Sequence, residues 1–281
     1  MMKNEDKILI EKVEVAGLQT AIRGMRNPMD SWVRSDSFWI GSNGDIFTSF
    51  DEEPEGDFVI GEADKDLAQR LISAGSEHCK FLRQIYVGFD IVLPRYVWSE
   101  FDTYHYNTKN SCSTMHKLFR KDKLINLYQF VYHEDDEEVM KDIISQLNNL
   151  RALYFNSATE NKNEILRRAK QILPEGFLQR RTVSTNYAEL RNIYHQRKNH
   201  RLPEWQVVCR FIESLPYAKF FLTNEATEIG VYNITATISA PNFETKVLTA
   251  KLTIQTEDDE RYLKWAGNNL YFQNALHDNF L

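Results

Sequence analysis

The sequence predicts an α+β domain followed by a C-terminal β-hairpin. Three observations carry this reading. Two strand-like runs stand in the first third of the chain, the middle has helical periodicity, and two β-branched runs flank a Pro-Asn turn near the end. The division falls at residue 225, giving one domain over 1–225 and a hairpin-and-tail extension over 226–281. With 281 residues, 42% hydrophobic and 26% charged, the chain lies in the ordinary globular range, which excludes fibrous and disordered classes. No stretch approaches the ~20 consecutive apolar residues needed to cross a bilayer, and the first residues lack the apolar segment of a secretory signal. A membrane partner is therefore not expected. A formal charge of -6 argues against nucleic acid as a partner. The three cysteines, Cys79, Cys112 and Cys209, form neither a disulfide framework nor a metal-ligand pattern, and the expected compartment is a reducing cytoplasm.

Taken in order, residues 8–15 alternate apolar and polar and read as a strand. A second segment follows, with a break at Asn27-Pro28. Residues 41–62 are acidic and turn-rich, a surface loop with one or two short hairpin strands. A helix runs from about Asp64 through His78 to Leu82, with Leu67, Leu71, His78, Phe81 and Leu82 near one stripe. IYVGFDIVLP is a strand ending at Pro94, and Arg95–Asn110 reads as a loop without a clean helical cap. Helices are expected over 135–153, 163–173, 187–200 and 204–215. The acids at the start of the first of these favour a helix N-terminus, and Val139, Met140, Ile143, Ile144, Leu147 and Leu150 form its face. VYNITATISAP and TKVLTAKLTIQT form the hairpin, and the tail from Glu257 starts as a helix.

The motifs GxGxxG, GxxxxGK[ST], HExxH and GxSxG are all absent, which lowers dinucleotide-fold and zinc-hydrolase readings. Two constellations remain. On the helix after Thr185, Leu190, Ile193, Tyr194 and Arg197 follow spacings of 3, 4 and 7, so Arg197 sits on the apolar stripe. Asn186, eleven residues earlier, lies about 20° from it at ~3.6 residues per turn. A guanidinium on an inward face needs an anion or carbonyl, and a buried structural Asp or Glu would serve as well as a ligand. The second constellation is 78–116, dense in ligand-binding groups: His78, Arg95, Glu100, Asp102, Tyr104, His105, Asn110, Ser111 and Ser113. It reads equally as a polar surface or as a binding loop.

LPRYVWSEFDTYHYNTKNSCSTMH resembles the core of the flavin-dependent thymidylate synthases, the ThyX family, in which Arg-His-Arg precedes a loop of the form N-E-x-S-x-R-Y. Asn110 to His116 occupy that loop in register and keep its Asn and Ser. His78 stands where the family has a His near the flavin. The family's A-R-x-V-L-P block is similar to Ala169–Pro174, and its Asn and Arg follow at the same intervals, twelve residues to Asn186 and eleven more to Arg197. The resemblance covers about residues 65–215. It departs where Thr103, Tyr104 and His105 replace Arg-His-Arg, Ser111 replaces Glu, Met115 replaces Arg, Lys170 replaces Arg, and Leu202-Pro203 replaces Ala-Gln.

The resemblance implies a mixed domain with a central antiparallel sheet flanked by helices, assembled as a homotetramer with sites shared between subunits. It implies methylation of dUMP to dTMP, with FAD as cofactor and NADPH and methylenetetrahydrofolate as co-substrates. By position, Arg197 would hold the uracil carbonyl and Ser113 would donate to substrate or phosphate. Lys170, Ser111, Glu100 and Arg95 would meet the nucleotide, and His78, Asn110, Asn186 and His105 the flavin or folate. No metal is implied. The alternatives are a flavin or folate enzyme acting on another pyrimidine nucleotide, and a non-catalytic binding or assembly protein that keeps the fold.

Overall fold

The alternating run near the N-terminus forms β1 (Ile10–Ala16), and Gly17 turns the chain into α1 (Leu18–Arg26). The structure, a computed structural model, describes residues 7–42, 44–47, 56–223, 230–238 and 246–254. Gly17 has φ 87°, and a Cβ there would lie 2.3 Å from the Gln84 carbonyl oxygen. Gly17→Ala is therefore expected to destabilise the fold by at least about 1–2 kcal/mol, measured as a lowered urea midpoint. A turn at Asn27–Met29 ends the α1 segment at the expected break.

The 41–62 segment carries two short strands, within the expected one or two, and a strand just before it joins them. They form a three-stranded antiparallel sheet in the order β3 (Ile46–Phe47), β2 (Phe38–Gly41), β4 (Gly56–Val59). Next, α2 (Glu62–Ser73) is shorter than the helix read to Leu82. Gly75 at φ 113° stops it, and a separate 3-10 turn covers Lys80–Gln84. His78 thus lies in a turn past the helix rather than on its apolar stripe.

β5 (Tyr86–Pro94) is as expected, with Val87, Phe89, Ile91 and Leu93 buried at period two. It leads directly into α3 (Arg95–Phe101), a helix where the sequence predicts a loop. No side chain caps α3. Instead, the Arg95 and Tyr96 N–H groups donate to the Phe177 and Glu175 carbonyls at 3.1 and 3.2 Å, so its cap comes from 80 residues away. β6 (Thr108–Ser111) and α4 (Thr114–Lys117) follow. α5 (Glu137–Asn156) and α6 (Thr159–Ile172) agree with expectation, but the buried face of α5 is Met140, Ile144, Leu147 and Leu150, with Val139 exposed and Ile143 only partly covered.

β7 (Leu178–Asn186), unread in the sequence, is central. Its pairing completes an antiparallel sheet of order β1-β5-β7-β6. β7 runs against β5 without interruption from Tyr86↔Asn186 to Pro94↔Leu178, and against β6 from Thr108↔Ser184 to Ser111↔Arg181. Then α7 (Tyr187–Arg197) and α8 (Pro203–Glu213) return over the sheet. Trp98, Phe101, Tyr187, Ile193 and Trp205 join β5 in the main core, while α5 and α6 enclose a second cluster with Phe130 and Phe177. β8 (Gly230–Ile238) and β9 (Lys246–Ile254) pair antiparallel, as read for the hairpin. The Pro241-Asn242 turn and the tail from Glu257 lie outside the described residues.

Cys209 on α8 is 3% exposed, and burial pushes its thiol up to about 11. At pH 8 iodoacetamide should label exposed Cys112 in the folded protein and reach Cys209 only after unfolding, as read by mass spectrometry.

Candidate functional site

Where β7 ends, Asn186 turns its side chain back to accept the Glu189 N–H at 3.1 Å, and so starts α7. This cap sets the first turn of α7 against two neighbours, the 76–83 turn and the 105–108 loop. The loop is pinned twice through Tyr106. Its N–H donates to the Glu189 carboxylate at 3.2 Å, and its carbonyl accepts the Thr185 hydroxyl at 3.2 Å. Backbone satisfaction therefore holds Tyr106 while its ring stays 69% exposed.

Two cavities of about 430 and 380 Å³ open on this junction, within the usual size of small-molecule sites. Arg83, Tyr106 and Asn186 line both. The larger also takes Cys79, Glu189, Arg191, Asn192 and His195, and the smaller takes His105, Asn107 and Ser184. Arg191 is fixed by donating to the Phe221 and Leu222 carbonyls at 3.4 and 3.0 Å. Burial lowers its pKa, and burial, followed by the nearby Arg191 and Lys198 charges, lowers that of His195. His195 is thus neutral at pH 7, with one nitrogen that donates and one that accepts.

A hydrogen-bond relay connects the larger cavity to Arg197. Gln196 Nε2 donates to Asn192 Oδ1 at 2.9 Å, the Tyr104 hydroxyl donates to Gln196 Oε1 at 3.0 Å, and Arg197 Nε donates to that hydroxyl at 2.8 Å. Asn192 consequently keeps its amide N–H groups for a ligand acceptor. Burial raises the Tyr104 pKa against the opposing pull of Arg197, so the phenol keeps its proton and the relay its direction. Arg197 Nη1 meets Glu100 Oε2 at 2.7 Å, and the guanidinium lies 4.6 Å above the Trp205 ring. The same Glu100 oxygen accepts the Trp205 indole N–H at 2.8 Å.

Against solved structures, the chain is similar to flavin-dependent thymidylate synthase ThyX from Helicobacter pylori complexed with FAD and dUMP. The TM-score is 0.54 at 21% identity, covering 76% of this chain and 97% of the other. A second structure of the Helicobacter pylori enzyme with FAD and dUMP gives 0.54 at 20%, covering 76% and 95%. The chain has the ThyX fold. No family model and no curated protein matches the sequence.

Within this ThyX fold the expected residues fall into separate groups. Asn186 and His105 line the cavities, and Arg197 and Glu100 form a contact pair beside them. Asn110 and Ser111 sit on β6 opposite Thr182 and Arg181, and Ser113 precedes α4 without a side-chain cap bond. Lys170 reaches the Met115 sulfur at 3.3 Å, which brings the two resemblance blocks into contact. Arg95 pairs with Glu175 at 3.1 Å, and His78 is exposed and absent from both linings. Arg83, Tyr106, Glu189, Arg191, Asn192 and His195 were not anticipated. Ala188, Arg191, Asn192 and His195 repeat on α7 at 3, 4 and 7, the polar counterpart of the apolar stripe, and that periodicity could have found them.

Proposed function

We propose that this chain is a flavin-dependent, thymidylate-synthase-like methyltransferase, converting dUMP to dTMP with methylenetetrahydrofolate as carbon donor and NADPH as reductant. The observation that carries the reading is the pair of adjoining cavities in a ThyX fold, with Asn186, the residue placed by the resemblance at the flavin or folate, in the wall common to both. The residues present fit FAD. Tyr106 offers an exposed ring for stacking, Asn192 and Asn186 offer amides to a heterocycle, and Arg83 and Arg191 offer cations. FAD bound there, once reduced by NADPH, would supply the hydride of the reaction.

On this reading the protein's own part is binding and polarisation. Arg197 uses Nη1 on Glu100 and Nε on Tyr104, which leaves Nη2 as the edge for the uracil carbonyl. By stabilising the negative charge that develops on that oxygen, the guanidinium would favour the electron-rich form of the ring, whose C5 attacks the methylene group. Lys170 and Ser113, beside the Met115 segment, take the nucleotide, with Ser111 nearby on β6. Arg95 and His78 reach it only if a neighbouring subunit of the homotetramer brings its ligand to them. The test is dTMP formation from dUMP with FAD, NADPH and methylenetetrahydrofolate supplied. dTMP above the level of an enzyme-free control supports the reading, and its absence with flavin bound refutes it.

One observation favours a second reading, a non-catalytic binding protein. Arg197 already has a carboxylate partner in Glu100, so its charge is compensated without a ligand. That reading requires no dTMP under any of these conditions.

A further inference from the structure

Although the chain carries a net charge of -6, the junction of the two cavities is cationic. Among their described lining residues, Arg83 and Arg191 face a single carboxylate, Glu189, one oxygen of which is occupied by the Tyr106 N–H. The histidines lining them are His195, which is neutral at pH 7, and His105. Arg83 lies in both walls, 5.9 Å from the Tyr106 ring centroid, and among the described residues no carboxylate lies within ion-pair distance of it. Arg191 is half-buried and held by two backbone carbonyls, so its position is set before any ligand arrives. A guanidinium without a carboxylate partner in a concave wall, with a second, half-buried one lining the same cavity, matches a phosphate group.

We propose that Arg83, with Arg191 in the wall of the larger cavity, binds the phosphate of a nucleotide ligand where the two cavities meet, supplying the cation that Thr103, Tyr104, His105 and Met115 do not. Two sources share this chemistry, the monophosphate of a pyrimidine nucleotide and the diphosphate of FAD. Naming those sources rests on the function proposed above, whereas the phosphate site itself does not.

The test is calorimetric titration of wild type, Arg83→Gln and Arg83→Lys with dUMP, deoxyuridine, FAD, riboflavin and inorganic pyrophosphate. Arg83 is exposed, so its variants should fold, with near-ultraviolet circular dichroism as the check. Arg83→Gln is expected to weaken the phosphate ligand by about tenfold or more, Arg83→Lys by less, and the phosphate-free analogues not at all. A loss confined to dUMP identifies the nucleotide as the source, and a loss confined to FAD identifies the flavin. If wild type binds neither FAD nor dUMP yet binds pyrophosphate in an Arg83-dependent way, the function fails and the site stands. Unchanged affinities in Arg83→Gln, or no phosphate compound bound by wild type, overturn the site.

Discussion

Replacing Arg197 by alanine is expected to lower dUMP-dependent turnover by about 10²–10³-fold, the usual cost of removing one donor aimed at developing negative charge. The loss should appear in kcat, because the guanidinium meets charge that grows as the uracil ring becomes nucleophilic. Two further contacts fail with it. Glu100 loses its cation, and the Tyr104 hydroxyl loses the donor that starts the relay to Asn192. The Glu100 side chain is 33% exposed and can rehydrate, so the protein should stay folded. Steady-state assay alongside circular dichroism separates the two effects. A folded Arg197→Ala variant with wild-type turnover would remove Arg197 from the proposed chemistry.

The largest expected effect on stability lies elsewhere, at Asp64. This carboxylate on α2 is fully buried and accepts Arg26 Nε at 2.5 Å, the Ser35 hydroxyl at 2.5 Å and the Ser37 hydroxyl at 2.6 Å. It ties the 31–37 segment and the end of α1 to α2. Asp64→Ala strands Arg26, itself only 4% exposed, without its counter-ion. Removing one member of a buried pair costs about 3–5 kcal/mol, because the remaining charge stays desolvated. Chemical denaturation should show that drop, whereas a change below about 1 kcal/mol would mean that water enters and replaces the carboxylate.

The parts of this fold that were legible in the sequence are those whose cause is local. β5 announces itself because every second residue is buried, and α5 because its apolar residues recur along one face. The elements that escaped are held by distant partners. α3 has no capping side chain of its own and borrows carbonyls from Glu175 and Phe177. β7 exposes or half-covers most of its residues, with only Val183 and Thr185 buried, so neither alternation nor hydrophobicity marks it. It becomes central through backbone pairing on both edges. The apparent continuity from α2 to Leu82 broke at Gly75, where a positive φ suits glycine and ends the helix.

The site follows the same division. The apolar stripe of α7 singled out Arg197, and the guanidinium does turn inward onto Trp205. The opposite polar stripe lines the larger cavity, and its importance depends on the 76–83 turn and Tyr106 being folded against it. Motif register alone placed His78 near a ligand, yet the turn that carries it leaves Ser76, Cys79 and Arg83 in the lining instead. The resemblance gave the positions of Asn186 and Arg197 by spacing, but not which donor of each would be free.

The most direct test of the central claim is the visible absorbance of the purified protein after incubation with FAD and desalting, followed by reduction and addition of dUMP with methylenetetrahydrofolate. A retained flavin spectrum and reoxidation that depends on dUMP are expected. A colourless protein that takes up no flavin would contradict the claim and leave the ThyX fold in service of a different ligand.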